Sequence, residues 1–362
     1  MNGPGSDRNS RGGPLAGLRA LELGGIGPGP FCGMLLADLG VEVVRIERVG
    51  AAPGVAGAQE YEVLNRGRRS LALDLRSAEG QAIALSLAER SDMVFEGFRP
   101  GVAERLGVGP EECMARNPRV VYGRMTGWGQ DGPLALAAGH DINYIALVGA
   151  LDAIGNADGP PVPPLNLLGD FAGGGLFLAL GMVSAVWEAG RSGRGQIVDA
   201  AIVDGTSALL AMLMGMRSGG QWQGKRGRNL LDGGAHFYGV YECADGRFIS
   251  VGPIEQQFYD RFLDGLELKD PPGTDRMDPG EWSSLRPRVA EAFMAKTRDE
   301  WVEVFASLDA CVAPVLTLDE AAEHPQSGPG LHGRGGWRHA AGNGPSVQPN
   351  RGARSPACPQ AR

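Results

Sequence analysis

The sequence predicts an α/β fold: a Rossmann-like parallel sheet in a large domain, followed by a smaller α+β domain. Three observations lead there. Short apolar runs suited to buried strands alternate with helix-length segments through the first half of the chain. Gly- and Pro-rich turns stand at the carboxyl ends of those runs, where open α/β sheets bind ligands. Further on, the pattern changes to a hairpin and a cluster of amphipathic helices. With 362 residues, 43% hydrophobic and 21% charged, the chain is long enough for two cores.

The elements follow in order. LRALELGGIGPGPFCGMLLADLGVEVVRIER (residues 18–48) reads as strand, turn, helix and strand. Its glycines Gly25, Gly27 and Gly29 are followed by Pro30 where a dinucleotide fingerprint needs its third glycine, so NAD binding is not expected. SLALDLRSAEGQAIALSLAERSDMVFEGFRPG (70–101) repeats the theme, with a helix over 78–89 between two strands. RVVYGRMTGWG adds another strand, and helices are expected over 142–151 and 171–188. GRGQIVDAAIVDGTSALLAMLMGMRSGG begins as a strand or turn and continues as a long apolar helix. FYGVYECADGRFISVGP reads as a hairpin turning at Asp245-Gly246. Helices from EQQFYDRFLDGL, SSLRPRVAEAFMA and DEWVEVFASL complete the small domain, with KDPPGTDRMDPGEW as a surface loop. The expected organisation is an extension over 1–13, a large domain over 14–200, a linking helix over 201–236, a small domain over 237–325, and an atypical tail over 326–362. That tail has no acid and is rich in Gly, Pro and Arg, so it reads as disordered or as a frame-shifted end.

Composition narrows the function. A net charge of −8 argues against a general nucleic-acid role. Only Lys225, Lys269 and Lys296 are lysines, which reads as the coding bias of a GC-rich, bacterial genome. The five cysteines lack metal or redox spacing, the five histidines are scattered, and the polar N-terminus has no secretory h-region. No metal site is expected, and the expected location is cytoplasmic. The apolar run over 171–187, about 17 residues, is short for a membrane span, so a buried helix is expected and no membrane partner.

Two features point to chemistry. Arg48, Arg76 and Arg99 fall at or just after strand ends, with Arg105 on a short helix beyond, a recurrence that favours a phosphate-bearing ligand. In PPLNLLGDFAGGGLFLALGMVSAVW (163–187), Asp170 stands alone in an apolar run before three glycines. It reads either as a helix N-cap or as an acid held where its pKa rises.

LRALELGGIGPGPFCGMLLADLGVEVVRIER, FEGFRPGVAERLG, GRMTGWGQDGP, GHDINY, PPLNLLGDF and GRGQIVDAAIVDG, in that order over residues 14–325, resemble the family III CoA-transferase superfamily. Within it they are most similar to the branch that racemises 2-methylacyl-CoA thioesters. The resemblance implies an interlocked homodimer, an acyl-CoA substrate and no further cofactor, CoA being part of the substrate. It makes His140 and Asp170 an acid–base pair, with Glu255 beside the histidine and Asn166 beside the aspartate. It places acyl-CoA contacts at Ile26, Arg48, Leu73, Leu75, Arg76, Gly97, Phe98, Arg99, Arg105, Gly139, His140, Asp141, Ile142, Asn143 and Tyr144. The expected reaction is α-proton abstraction on one face and reprotonation on the other, through an enolate. Both proton-transfer groups are placed at helix starts, whose amides offer donors to the enolate oxygen. The competing reading is a CoA-transferase in which Asp170 is the nucleophile of an aspartyl-CoA intermediate; that mechanism does not require His140.

Overall fold

The computed structural model describes residues 12–50 and 62–327. All but the last two residues of the expected extension, and all but the first two of the expected tail, lie outside the described residues.

The large unit opens with β1 (Arg19–Leu23), α1 (Pro28–Asp38), β2 (Glu42–Arg48), β3 (Arg68–Leu73), α2 (Ala78–Glu89) and β4 (Met93–Glu96). Two short helices, α3 (Val102–Arg105) and α4 (Pro110–Arg116), lead to β5 (Val121–Thr126) and α5 (Asp141–Leu147). A π-helical segment over Leu167–Leu176 then runs directly into α6 (Phe177–Ser192), followed by β6 (Ile197–Ala201), α7 (Ile202–Leu209) and α8 (Ala211–Ser218). The six strands pair in parallel in the order β3-β2-β1-β4-β5-β6, a doubly wound sheet. β4 is buried along its whole length, as a strand covered on both faces must be. One face of the sheet packs Leu36 of α1 and Leu178 and Met182 of α6 against Phe95 and Val121. The other packs Ala84 and Ala88 of α2 and Cys113 of α4 against Leu21, Val94 and Tyr122.

The second unit holds an antiparallel sheet of β7 (Gly239–Glu242), β8 (Phe248–Val251) and β9 (Val312–Pro314). Around it lie α9 (Gln256–Leu266), α10 (Pro279–Phe293), α11 (Arg298–Phe305) and α12 (Leu318–Glu323). Its core is aromatic: Phe237, Tyr241, Tyr259, Phe262, Phe293, Trp301 and Phe305. Capping boxes at Thr297/Glu300 and Thr317/Glu320 start α11 and α12. Arg298 joins the two helices through Glu320 at 2.8 Å.

The structure departs from the sequence reading in four places. β9 and α12 were not expected. α10 begins at Pro279, inside the stretch read as loop, because Asp278 caps it at 2.9 Å to Gly280 N and Pro279 suits a first-turn position. The long linking helix is two helices, broken where Leu210 N–H turns back to the Thr206 and Ser207 carbonyls, both at 3.2 Å. Finally, the apolar helix is longer than the run read from sequence. Over Leu167–Ser192 it spans 26 residues and is long and apolar enough to cross a membrane by length and composition. In this structure Leu178, Ala179, Met182, Ala185 and Ala189 pack one side of it onto the sheet, while Leu176, Leu180 and Trp187 are exposed.

The three glycines after Asp170 have a packing reason. A Cβ on Gly173 would lie 2.5 Å from Thr206 Oγ1, one on Gly174 3.2 Å from Pro28, and one on Gly175 2.5 Å from the Pro28 carbonyl oxygen. From the other side, a Cβ on Gly205 would lie 1.8 Å from the Gly173 carbonyl oxygen. The π-helical segment therefore meets α1 and α7 at backbone distance, and Phe31 stacks on Phe171 at 4.5 Å beside the crossing.

Gly205→Ala should lower the stability of the chain by about 3 kcal/mol, since the clash is with rigid backbone. Gly190→Ala, at an exposed helical glycine with nothing within 4 Å of the added carbon, should raise it by about 0.5 kcal/mol. Urea midpoints of the two variants against the parent check both.

Candidate active site

The strand order reverses its direction of growth between β1 and β4, so the crevice beyond their carboxyl ends is where this topology places a ligand. The turn after β1 is shaped by Gly25 and Gly27, both at positive φ. It is held from below by Glu22, buried between Arg45 and Arg68, while Arg45 Nη2 donates to the Gly25 carbonyl at 2.7 Å. A Cβ on Gly25 would lie 3.9 Å from Gly97 Cα, so this turn and the one after β4 are neighbours.

Arg48, Arg76, Arg99 and Arg105 are exposed, and none forms an ion pair among the described residues. They are cations free to meet an anion. Behind them, Glu96, Arg124 and Asp199 lie in register across β4, β5 and β6. Arg124 approaches Glu96 at 3.6 Å and donates to Glu104 of α3 at 2.7 Å. Glu96 also accepts the Phe98 backbone N–H. The turn holding residues 97–99 and the helix carrying Arg105 are thus tied to one buried carboxylate. Burial pushes that carboxyl up to about 7, against the opposing pull of the Phe98 amide and Arg124.

Asp170 lies in the first turn of the π-helical segment, and its side chain caps nothing. The N-cap reading is therefore set aside. The extra residue in the turn is seen in the Phe171 N–H, which donates to the Asn166 carbonyl five residues back at 3.3 Å. Asn166 Nδ2 donates to Asp170 Oδ2 at 3.4 Å, which brings this predicted pair together. The first βα turn reaches the same oxygen: a Cβ on Gly27 would lie 3.0 Å from it. Burial and the neighbouring Asp141 carboxylate raise the pKa of Asp170, while the Asn166 amide and the His140 imidazole oppose the rise. Just upstream, Leu165 is held at φ 58°, a strained conformation for leucine, at the entry to this segment.

His140 is the N-cap residue of α5 and is exposed; its backbone N–H donates to Asn143 Oδ1 at 3.0 Å. The turn before it is set by Tyr144, whose hydroxyl donates to the Gly139 carbonyl and whose ring meets Trp128 edge-on at 4.7 Å. Gly127 and Gly139 leave room for that ring: an added Cβ would come within 2.1 Å and 2.7 Å of it.

Two expectations are corrected here. Asp141, expected among the acyl-CoA contacts, is 7% exposed and turns its carboxylate inward, where Oδ1 accepts the Asp170 N–H at 2.6 Å. The Gly169 amide also acts on this carboxylate. The Asp170 amide is therefore engaged, and is not free for an enolate oxygen. Glu255, the other residue expected beside His140, is the exposed N-cap residue of α9. Among the described residues it makes no hydrogen bond or ion pair with His140; its charge acts on Cys311 of the small unit. Of the other expected contacts, Ile26, Gly97, Ile142 and Asn143 are exposed, whereas Leu73, Leu75, Phe98, Gly139 and Tyr144 are half-buried. The residue that sequence reasoning missed is Glu96. Its signal is an acidic residue closing a strand that is otherwise wholly apolar, MVFE.

The family model for CoA-transferase family III matches residues 15–344, extending past residue 325 into the stretch read as atypical. The mouse α-methylacyl-CoA racemase is 47% identical over 310 residues, covering 86% of this chain and 80% of the relative. The human α-methylacyl-CoA racemase is 46% identical over 312 residues, with the same coverages. The succinyl-CoA–D-citramalate CoA-transferase of Chloroflexus aurantiacus is 36% identical over 263 residues, covering 70% of this chain and 65% of that protein. Among solved structures, a CAIB/BAIF family protein from Brucella suis superposes with a TM-score of 0.74 at 26% identity, covering 87% of each chain.

The proton balance of Glu96 has a measurable consequence. Its folded carboxyl binds a proton more tightly than the unfolded one, so its contribution to stability is present below pH 4.5 and is lost as pH rises through about 7. Glu96→Gln should therefore gain stability relative to the parent between those values. Urea unfolding of both proteins across that range reads the difference, and parallel pH curves would remove Glu96 as its source.

Proposed function

The chain belongs to CoA-transferase family III, and on that premise we propose that it is an isomerase that racemises 2-methylacyl-CoA thioesters. The observation that carries this reading is the link between two helix starts: Asp141, the residue after His140, accepts the Asp170 backbone N–H at 2.6 Å. The cap residue of α5 and the carboxylate in the first turn of the π-helical segment are thereby held on neighbouring elements. The 46–47% identity to mammalian racemases supports it.

In this reading the exposed arginines at the sheet edge take the phosphates of CoA, and the thioester reaches into the crevice between the turns after β1 and β4. The α-hydrogen of a thioester is weakly acidic, so inversion needs a base on one face and an acid on the other. With one enantiomer His140 removes the proton and Asp170 returns one; with the other the roles exchange. Asp170 suits the acid role because its environment favours the protonated form, and Asn166 holds the carboxyl in place through the swap. A homodimer is part of this reading, with the pairing of Glu255 and His140 made between copies; Leu180 and Trp187 of α6 and Met212 and Met214 of α8, large apolar side chains at least 58% exposed, support it. The free thiols at Cys32, Cys113, Cys243 and Cys311 support a reducing, cytosolic setting. The CoA-transferase relatives support the second reading, an Asp170 nucleophile.

Proton NMR of one enantiomer of a 2-methylacyl-CoA in D₂O should show loss of the α-proton signal with inversion. His140→Ala and Asp170→Ala should each slow it by about 10²-fold or more. Exchange at the parent rate in both variants defeats the two-base reading. Transfer of CoA to an acceptor acid, surviving in His140→Ala and lost in Asp170→Ala, would select the transferase instead. Mixing His140→Ala with Glu255→Ala chains should restore activity, because one mixed dimer then holds one intact site; no recovery places both residues in the same copy.

A further inference from the structure

We propose that Asp141 is the positioning residue that keys the two proton-transfer groups to each other. Its backbone carries His140 as the preceding residue, and its carboxylate receives the backbone N–H of Asp170. The inference rests on the racemase reading and adds to it the element that fixes the distance between acid and base.

Four observations carry it. Asp141 is the first residue of α5 and is 7% exposed, so its carboxylate is spent inside the protein. Oδ1 accepts from Asp170 N at 2.6 Å, which reaches the first turn of the π-helical segment from a different helix, and the Gly169 amide acts on the same carboxylate. Residue 169 has no space for a side chain: a Cβ there would lie 2.3 Å from Asp141 Oδ1, so the turn is pressed onto the carboxylate. Asn166, at the N-cap position of that segment, supplies no cap bond and donates to the Asp170 side chain instead. The two partners divide the work, Asp141 holding the Asp170 backbone and Asn166 its carboxyl.

The charge of Asp141 adds a second effect. The titratable groups acting on Asp170 are Asp141 and His140, and Asp170 in turn acts on Tyr144 of the same helix. Among these Asp141 is the like charge that strengthens proton binding at Asp170. Its own Oδ2 is buried without a hydrogen-bond partner, and burial raises its pKa as well.

Asp141→Asn keeps the size and one acceptor oxygen but removes the charge; Asp141→Ala removes both. With KM for the acyl-CoA within about twofold of the parent, the first should slow α-proton exchange by about tenfold and the second by about 100-fold. In the direction where Asp170 takes the proton, the acidic limb of the rate should move to lower pH in Asp141→Asn. Deuterium uptake by the backbone of residues 166–171, followed by mass spectrometry, should quicken in Asp141→Ala whether or not the protein is an active racemase. That readout separates the two ideas: a parent chain without α-proton exchange ends the racemase reading, yet unchanged uptake alone ends the positioning role. An Asp141→Asn protein with parental rate and pH profile but lower thermal stability would make Asp141 a structural cap and overturn the proposal. A raised KM with parental kcat would make it a substrate contact and overturn it equally.

Discussion

The architecture hangs on a place where side chains are absent. The π-helical segment crosses α1 and α7 through Gly173, Gly174, Gly175 and Gly205, so close that main-chain atoms of neighbouring helices touch. Helices ordinarily pack 8–10 Å apart, at distances set by their side chains. Removing those side chains at one crossing brings the carboxylate three residues upstream against the Gly27 turn and under the helix that begins at His140. The sheet supplies the platform, but this crossing decides which polar groups meet above it.

Much of the fold was legible because its signals are local. Strand runs, the helix over 78–89 and the Asp245-Gly246 hairpin each follow from period, caps or turn chemistry within a few residues. The arginines at strand ends were legible for the same reason, since topology alone gathers them on one edge. What escaped is set by distance. Nothing near Asp141 announces that its carboxylate faces the amides of residues 169–170, and in GHDINY it looks as available to a ligand as its neighbours. The place of Glu255 depends on how two units of the chain, or two chains, come together. α12 is short and lacks buried residues, and its Thr317/Glu320 capping box is a local signal that its length hid.

The site also shows how two carboxylates close together are given different tasks. Asp141 is buried and holds a backbone amide; Asp170 is half-buried and is steadied by a side-chain amide. Glu96, deeper in the sheet, does comparable work for the turn after β4 and, through Arg124, for the helix carrying Arg105. Acidic residues in this protein thus serve as anchors for the backbone that presents the basic ones. The exposed Arg48, Arg76, Arg99 and Arg105 at the sheet edge take their partners from outside the chain in the reading proposed here.

The π-helical turn makes the direction of one acid depend on the length of its segment. Five-residue spacing in a helix is what one additional residue produces when both flanks keep their own packing. Leu178 and Met182 stay locked on the sheet, so the surplus is absorbed upstream, where the carboxylate stands. Deleting that residue would return the segment to ordinary winding and swing Asp170 by about 100° around the helix axis. The facing of this one acid is thus a matter of chain length as much as of residue type: the same residues wound one shorter would present it to different neighbours.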